Sequence, residues 1–223
     1  MPERTFVIGD IHGCAATLRR LVEDTLRPLP SDRIYLLGDL IDRGPNSKGV
    51  LDFIFELRES GLFIESIRGN HEEMFLQTCD DSSYLESWSV NGGRATMASF
   101  QADGPGDISR RYRDFLRSFP LYILLEEFVI VHAGLNFDVP HPLSDSEAML
   151  WTRSHFVDRQ RIGGRRLICG HTPVALARLE ASLSSDKILL DNGCVFIDRP
   201  GMGNLAALEL ENMTLFLQPN MDM

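Results

Sequence analysis

No apolar run in this 223-residue sequence approaches the roughly 18–20 residues that a membrane-spanning helix needs. The opening Met1-Pro2-Glu3-Arg4 and the short apolar run after it lack the long apolar segment and cleavage site of a secretory leader. Cysteine is scarce: Cys14, Cys79, Cys169 and Cys194 lie far apart, with no C-x-x-C spacing. That argues against a disulfide framework and against a thiolate zinc site. Positive charge is in short supply too. With 22 Lys and Arg against 32 Asp and Glu, the net charge is −10, and so acidic a surface repels polyanions at long range. These absences predict a cytoplasmic protein that binds neither nucleic acid nor membrane. An anionic substrate stays open, because bound metals or a few arginines reverse the field locally.

What is present is the material of a globular core. Hydrophobic residues make up 43% of the chain and charged ones 24%, the ordinary mix of folded domains, and the length suits one domain over residues 1–223. Apolar runs recur at 5–8, 34–37, 63–67, 128–131 and 167–169, and each leads into a glycine-bearing polar turn. Runs of this length suit strands buried on both faces. Between the early ones, residues 14–26 set Leu18, Leu21, Val22 and Leu26 on one helical face, and residues 47–60 do the same with Val50, Leu51, Ile54 and Leu57. Alternating strand and helix predicts an α/β fold with right-handed crossovers. Residues 73–120 read as a helical cap within the same domain. Ile108, Tyr112, Phe115, Leu116 and Phe119 mark one face of it, and Asp103-Gly104-Pro105-Gly106 breaks it with a turn. After His171 the pattern returns to strands at 188–190, 205–210 and 215–217. Cys169 and Cys194 read as core strand residues, and Asp191-Asn192-Gly193 as a turn.

The polar residues concentrate where the early strands end. Five such ends carry Asp10 with His12, Asp39 with Asp42, Asn70 with His71, His132, and His171. In open α/β sheets ligands bind outside the carboxyl ends of the strands, so one edge gathers carboxylates, an amide and imidazoles. All are metal ligands and none is a thiolate, a set that favours Mn, Fe or Zn bound through N and O. Too many donors converge for one tetrahedral ion. Two divalent ions sharing a carboxylate are the economical solution, and ions about 3.5–4 Å apart generate hydroxide at neutral pH and hold a phosphoryl oxygen.

Five segments in order resemble the motif set of the phosphoprotein phosphatase family, the serine/threonine phosphatase branch of the dinuclear metallophosphoesterases. They are Gly9-Asp10-Ile11-His12-Gly13, Gly38-Asp39-Leu40-Ile41-Asp42-Arg43-Gly44, Arg68-Gly69-Asn70-His71-Glu72, Val131-His132-Ala133-Gly134 and Gly170-His171-Thr172. Residues 88–93 and Trp151-Thr152-Arg153 further resemble the compact bacterial and phage members. The resemblance implies a calcineurin-like α/β sandwich of two mixed sheets flanked by helices, with 73–120 as the helical cap. It also divides the ligands: Asp10, His12 and Asp39 on one metal, with Asp39 bridging to a second held by Asn70, His132 and His171. His71 is implied as general acid, oriented by Asp42. Arg43 and Arg153 are implied to hold the substrate phosphate, beside Asn70, with Arg68 supporting that positive patch. Many related nucleases carry a second histidine two residues beyond the position of His171. Here Pro173 stands there, which fits the phosphatase branch.

The expected activity is metal-dependent hydrolysis of a phosphomonoester, with phosphoprotein or a small phosphoester as substrate and Mn as the ion most readily used in vitro. The nearest rival is a symmetrical diadenosine tetraphosphate hydrolase, which the chain resembles in Gly44-Pro45 and Ser47. Arg68 through Glu73 and Asn91-Gly92-Gly93 resemble the phosphatase branch more closely, and Asp42 stands where the rival branch departs. A phosphate-binding module without catalysis would lack a ligand or the acid, and every expected position is filled.

Overall fold

The computed structural model describes residues 3–223. In chain order its strands are β1 (Thr5–Ile8), β2 (Arg33–Leu36), β3 (Phe63–Ser66), β4 (Tyr122–Leu124), β5 (Phe128–Val131), β6 (Arg166–Cys169), β7 (Lys187–Leu189), β8 (Asn204–Glu209) and β9 (Thr214–Pro219). They form two mixed sheets, β3-β2-β1-β8-β9 and β4-β5-β6-β7. Parallel pairing joins β1 to β2, β2 to β3, β5 to β6 and β6 to β7; antiparallel pairing adds β8, β9 and β4.

The period-two alternation of strands sorts the apolar residues into layers. Val7, Tyr35 and Leu37 of the first sheet meet Phe128, Ile130, Ile168 and Ile188 of the second. Phe6, Ile8, Ile34 and Leu36 face the other way, onto helices. Val129, Val131, Leu167 and Cys169 likewise face outward, onto Leu135, Met149 and Ile162. Both faces of the inner strands are dry, which is why their sequences are continuous apolar runs.

Helix α1 (Ala15–Arg20) continues as a π-helical turn, Leu21–Leu26, and α2 (Ser47–Glu59) begins where the Asn46 side chain accepts from the Gly49 N–H, 2.8 Å. Next come α3 (Asn70–Asp80), α4 (Leu85–Trp88), α5 (Arg94–Phe100) and α6 (Arg110–Arg117), then α7 (Ser146–Trp151) and α8 (Leu176–Ser182). Among the described residues no helix is long and apolar enough to cross a membrane.

Four details depart from the sequence reading. Helix α3 starts at Asn70, so Asn70 and His71 lie on its first turn instead of at a strand end. Strand β4 has no counterpart among the expected strands; it is three residues long, half-exposed, and pairs only with β5. Cys194 is buried but lies in the turn region after β7, because Asp191 through Gly193 turn the chain away from the sheet. The cap residues Ile108, Phe115, Leu116 and Phe119 share one core with Phe6 and Leu18 of the first sheet and its helix. The helical segment is thus packed into the layer beside α2, and Trp88, fully buried, is part of that core.

Candidate active site

The carboxyl ends of β1, β2, β5 and β6 and the first turn of α3 converge. The loop after β1 is laced to the loop after β2 through Ile11 and His12 N–H groups on the Asp39 carbonyl, 3.1 and 2.8 Å, and Gly13 N–H on the Leu40 carbonyl, 2.8 Å. Approach is so close that a Cβ on Gly170 would stand 2.0 Å from Asp10 Oδ1. Among the described residues eight non-glycine residues have positive φ, and five of them are His12, Asp39, Asp42, Arg43 and His171. Such conformations cost energy and persist only where surrounding contacts impose them.

Asp39 is the hub. Its Oδ2 is 3.5 Å from His12 Nε2 and its Oδ1 is 3.4 Å from His132 Nε2. Both histidines have a fixed tautomer. The Ile41 carbonyl can only accept, so His12 Nδ1–H donates to it, 3.0 Å; His132 Nδ1–H donates likewise to Leu37, 2.8 Å. Each Nε2 is left with a lone pair facing an acceptor-only carboxylate. Asn70 Oδ1 lies 2.8 Å from His132 Nε2 and 2.9 Å from His171 Nδ1. A carboxylate, an amide oxygen and imidazole nitrogens that converge in this way are the donor atoms a cation requires. Among the described residues two trios have ligand atoms within 4.8 Å of one another, His12-Asp39-His71 and Asp39-His132-His171, and Asp39 belongs to both. Asp10 accepts the His171 N–H through Oδ2, 2.9 Å, while its buried Oδ1 has no partner. The donor set fits divalent metal.

His71 differs from its neighbours. Its Nδ1 is 2.8 Å from Asp42 Oδ2, its backbone N–H donates to Asp39 Oδ1 at 3.1 Å, and its buried Nε2 has no hydrogen-bond partner. Burial pushes the imidazoles of His12, His132 and His171 down, the last to about 3 with help from His132 and Arg153. Burial acts on His71 too, but Asp39 and Asp42 together carry it above the ordinary histidine range. Three imidazoles favoured neutral and one favoured protonated thus surround one carboxylate. Asp39 itself lies below the usual range, since His132, His71 and His12 outweigh its burial. Asp10 is pushed well up by burial and by Asp191 and Asp39, and burial lifts Asp191 to about 7. That is a surplus of buried negative charge.

The arginines divide. Arg43 Nη1 donates to His12 Nε2, 2.7 Å, within the site, and Arg153 is exposed with its charge felt at His171. Arg68 is tied to neighbouring elements of the protein. Its guanidinium bonds Glu73, 3.0 Å, and the Arg117 carbonyl, 2.7 Å, because the end of α6 returns past the start of α3. Glu72, quoted in a motif but given no role, is a structural hub. Its carboxylate accepts from the N–H groups of Gly69, Asp39 and Leu40 at 2.8–2.9 Å. A glutamate three residues after the helix N-cap is a legible sign of that behaviour. Asp191, read as a turn residue, is buried, its charge acting on Asp10.

Residues 3–192 match the model of the calcineurin-like phosphoesterases. The chain belongs to that family. It is a metallophosphoesterase and an enzyme of the hydrolase class. It is 42% identical over 206 residues to serine/threonine-protein phosphatase 1 of Salmonella typhimurium, covering 86% of this chain and 87% of that one, a likeness that puts it in the phosphoprotein phosphatase family. It is 33% identical over 131 residues to a symmetrical bis(5'-nucleosyl)-tetraphosphatase of Dechloromonas aromatica. That match takes in 59% of this phosphoesterase and only 44% of the relative's length. A Saccharomyces cerevisiae serine/threonine phosphatase structure with similarity to human PP5 superposes with a TM-score of 0.63 at 14% identity, over 97% of this chain and 79% of that one, which speaks to the fold alone.

Proposed function

We propose that this phosphoesterase hydrolyses phosphoserine and phosphothreonine in proteins, using two divalent ions, one held by Asp10, His12 and Asp39 and the other by Asp39, Asn70, His132 and His171. The observation that carries the reading is the contrast among the imidazoles around Asp39: His12 and His132 give Nδ1–H to backbone carbonyls and are pushed down by burial, whereas His71 Nδ1 meets Asp42 and its ring is pushed up by Asp39 and Asp42. Ligands must be deprotonated and an acid must not be. When bound, the metals supply a nucleophile from water at neutral pH and neutralise charge on the phosphoryl group.

The protein's own groups do the rest. Arg43 and Arg153 would take the phosphoryl oxygens as charge-assisted donors, orienting phosphorus toward Asp39. His71 Nε2–H would give its proton to the departing seryl oxygen, while Asp42 keeps Nδ1 protonated and the ring aimed. The protein substrate, over a dinucleotide, is supported by the 42% identity to a protein phosphatase over 86% of this chain, against 33% over 59% for a symmetrical tetraphosphatase and 28% over 96% for an asymmetrical one.

The test is phosphate release from a phosphoserine peptide panel and from diadenosine tetraphosphate, with and without Mn²⁺ after chelation. Turnover of peptides, dependent on metal and exceeding that of the dinucleotide, is expected. Preference for the dinucleotide would transfer the chain to the rival reading, and no turnover of either would leave a phosphate-binding module.

A further inference from the structure

Asp42 is fully buried, and its carboxylate is saturated by donors that the catalytic reading does not require. Trp88 Nε1–H donates to both oxygens, 2.9 Å to Oδ2 and 3.1 Å to Oδ1. Thr96 Oγ1–H donates to Oδ1 at 2.6 Å. The same hydroxyl accepts the backbone N–H of Asp42, 2.9 Å, and lies 2.9 Å from Ser47 Oγ, which takes that N–H as well at 3.1 Å. Thr96 therefore holds Asp42 by both its backbone and its side chain. Between them Gly92 accepts the Arg43 N–H, 3.2 Å. Trp88 at the end of α4, the kink at Gly92 with its φ of 119°, and Thr96 in the first turn of α5 bring the three contacts together.

The Trp88 indole is itself pinned. A Cβ on Gly93 would stand 2.4 Å from the indole ring, and the Phe75 ring lies 5.2 Å from it. The residues these contacts grip need holding, for Asp42 and Arg43 have φ of 71° and 69°, a sparsely populated conformation that persists only where surrounding contacts impose it.

We infer that Trp88 and Thr96 are positioning residues for proton delivery: they fix the plane of the Asp42 carboxylate, so that Oδ2 meets His71 Nδ1 and the free Nε2 aims at the leaving oxygen. A buried carboxylate deprived of two donors would rotate to find others, and the imidazole that leans on it would follow. The inference rests on the reading of His71 as general acid.

Thr96→Val keeps the shape and removes the hydroxyl; Thr96→Ser restores it; Trp88→Phe removes the indole N–H. With metals present at wild-type stoichiometry by elemental analysis, Thr96→Val should lower kcat on a phosphoserine peptide roughly 10-fold, a part of the ~10²–10⁴ that an acid contributes. KM should hold. On p-nitrophenyl phosphate, whose leaving group needs no proton, the loss should stay under about 2-fold, and Thr96→Ser should recover both. Trp88→Phe should repeat the split. In a His71→Asn background, Thr96→Val should cost nothing further on the peptide, because a residue acting through His71 has nothing left to position. Equal losses on both substrates, or a full further loss in the double variant, would overturn the inference. If His71→Asn itself shows no split between substrates, the acid reading falls first and the inference with it. The hydrogen bond has its own readout. Only two tryptophans give indole N–H signals, and the Trp88 signal should move in Asp42→Asn; an unmoved spectrum would overturn the contact.

Discussion

His71 and His132 sit on the same carboxylate and answer differently to removal. His132 gives Nδ1–H to a carbonyl and turns Nε2 toward Asp39, so His132→Ala should lose metal together with activity. His71 gives Nδ1 to Asp42, so His71→Asn should keep both metals and lose ~10²–10⁴ in turnover on phosphoserine peptide, with a smaller loss on p-nitrophenyl phosphate. Elemental analysis beside steady-state kinetics decides between the roles. Metal loss in His71→Asn would move this histidine into the ligand set, where its distance to His12 and Asp39 also allows it.

The first turn of α3 is the element that joins the two halves of this arrangement. It carries Asn70 toward one imidazole pair, His71 toward the other, and Glu72 down onto the N–H groups of the loop after β2. Burial and Asp39 push the Glu72 carboxyl up to about 7, and the N–H groups of Gly69 and Leu40 work against that rise. Glu72→Gln sets an NH₂ group against the N–H donors of Asp39 and Gly69, which now meet Oε2. Two buried donors then go unpaired, at about 1–3 kcal/mol each. A fall in unfolding free energy of that order by urea denaturation, with weaker retention of metal on dialysis, is the expected result; an unchanged midpoint would remove Glu72 from the scaffold.

Across the whole molecule, the acidic excess and the buried carboxylates make metal part of the folded state's charge balance. Groups with raised folded-state pKa bind protons in the metal-free fold that the unfolded chain has already released. The stability they contribute is present below their unfolded values and is lost as pH rises through the folded ones. Glu72, raised from 4.5 to about 7, and Asp191, raised from 3.8 to about 7, set that window at about pH 4–7, with Asp10 acting in the same direction. Metal ions supply the missing positive charge. Their uptake near pH 6 should therefore release protons, measurable by titration calorimetry in buffers of differing ionisation enthalpy. The release should shrink by pH 8, where these carboxyls are already ionised. His12, His132 and His171 are held neutral and add little to it. Release that grows with pH would refute the assignment.

The sequence by itself determined the donor types and where along the chain they fall, because a strand buried on both faces and the glycine turn after it are local patterns. Phe128 to Val131 followed by His132 needs no distant partner to be legible. It also determined which side of most strands and helices meets the core. Only the tertiary structure decided that Asp39 faces His12, His71, His132 and His171, that Arg68 bonds Glu73 and the end of α6, and that Asp191 is buried near Asp10. It alone paired Asp42 with Trp88 and Thr96, which lie 46 and 54 residues away. Contacts at such separations follow from how layers stack, and no periodicity of 2 or 3.6 residues encodes which side chain will reach across.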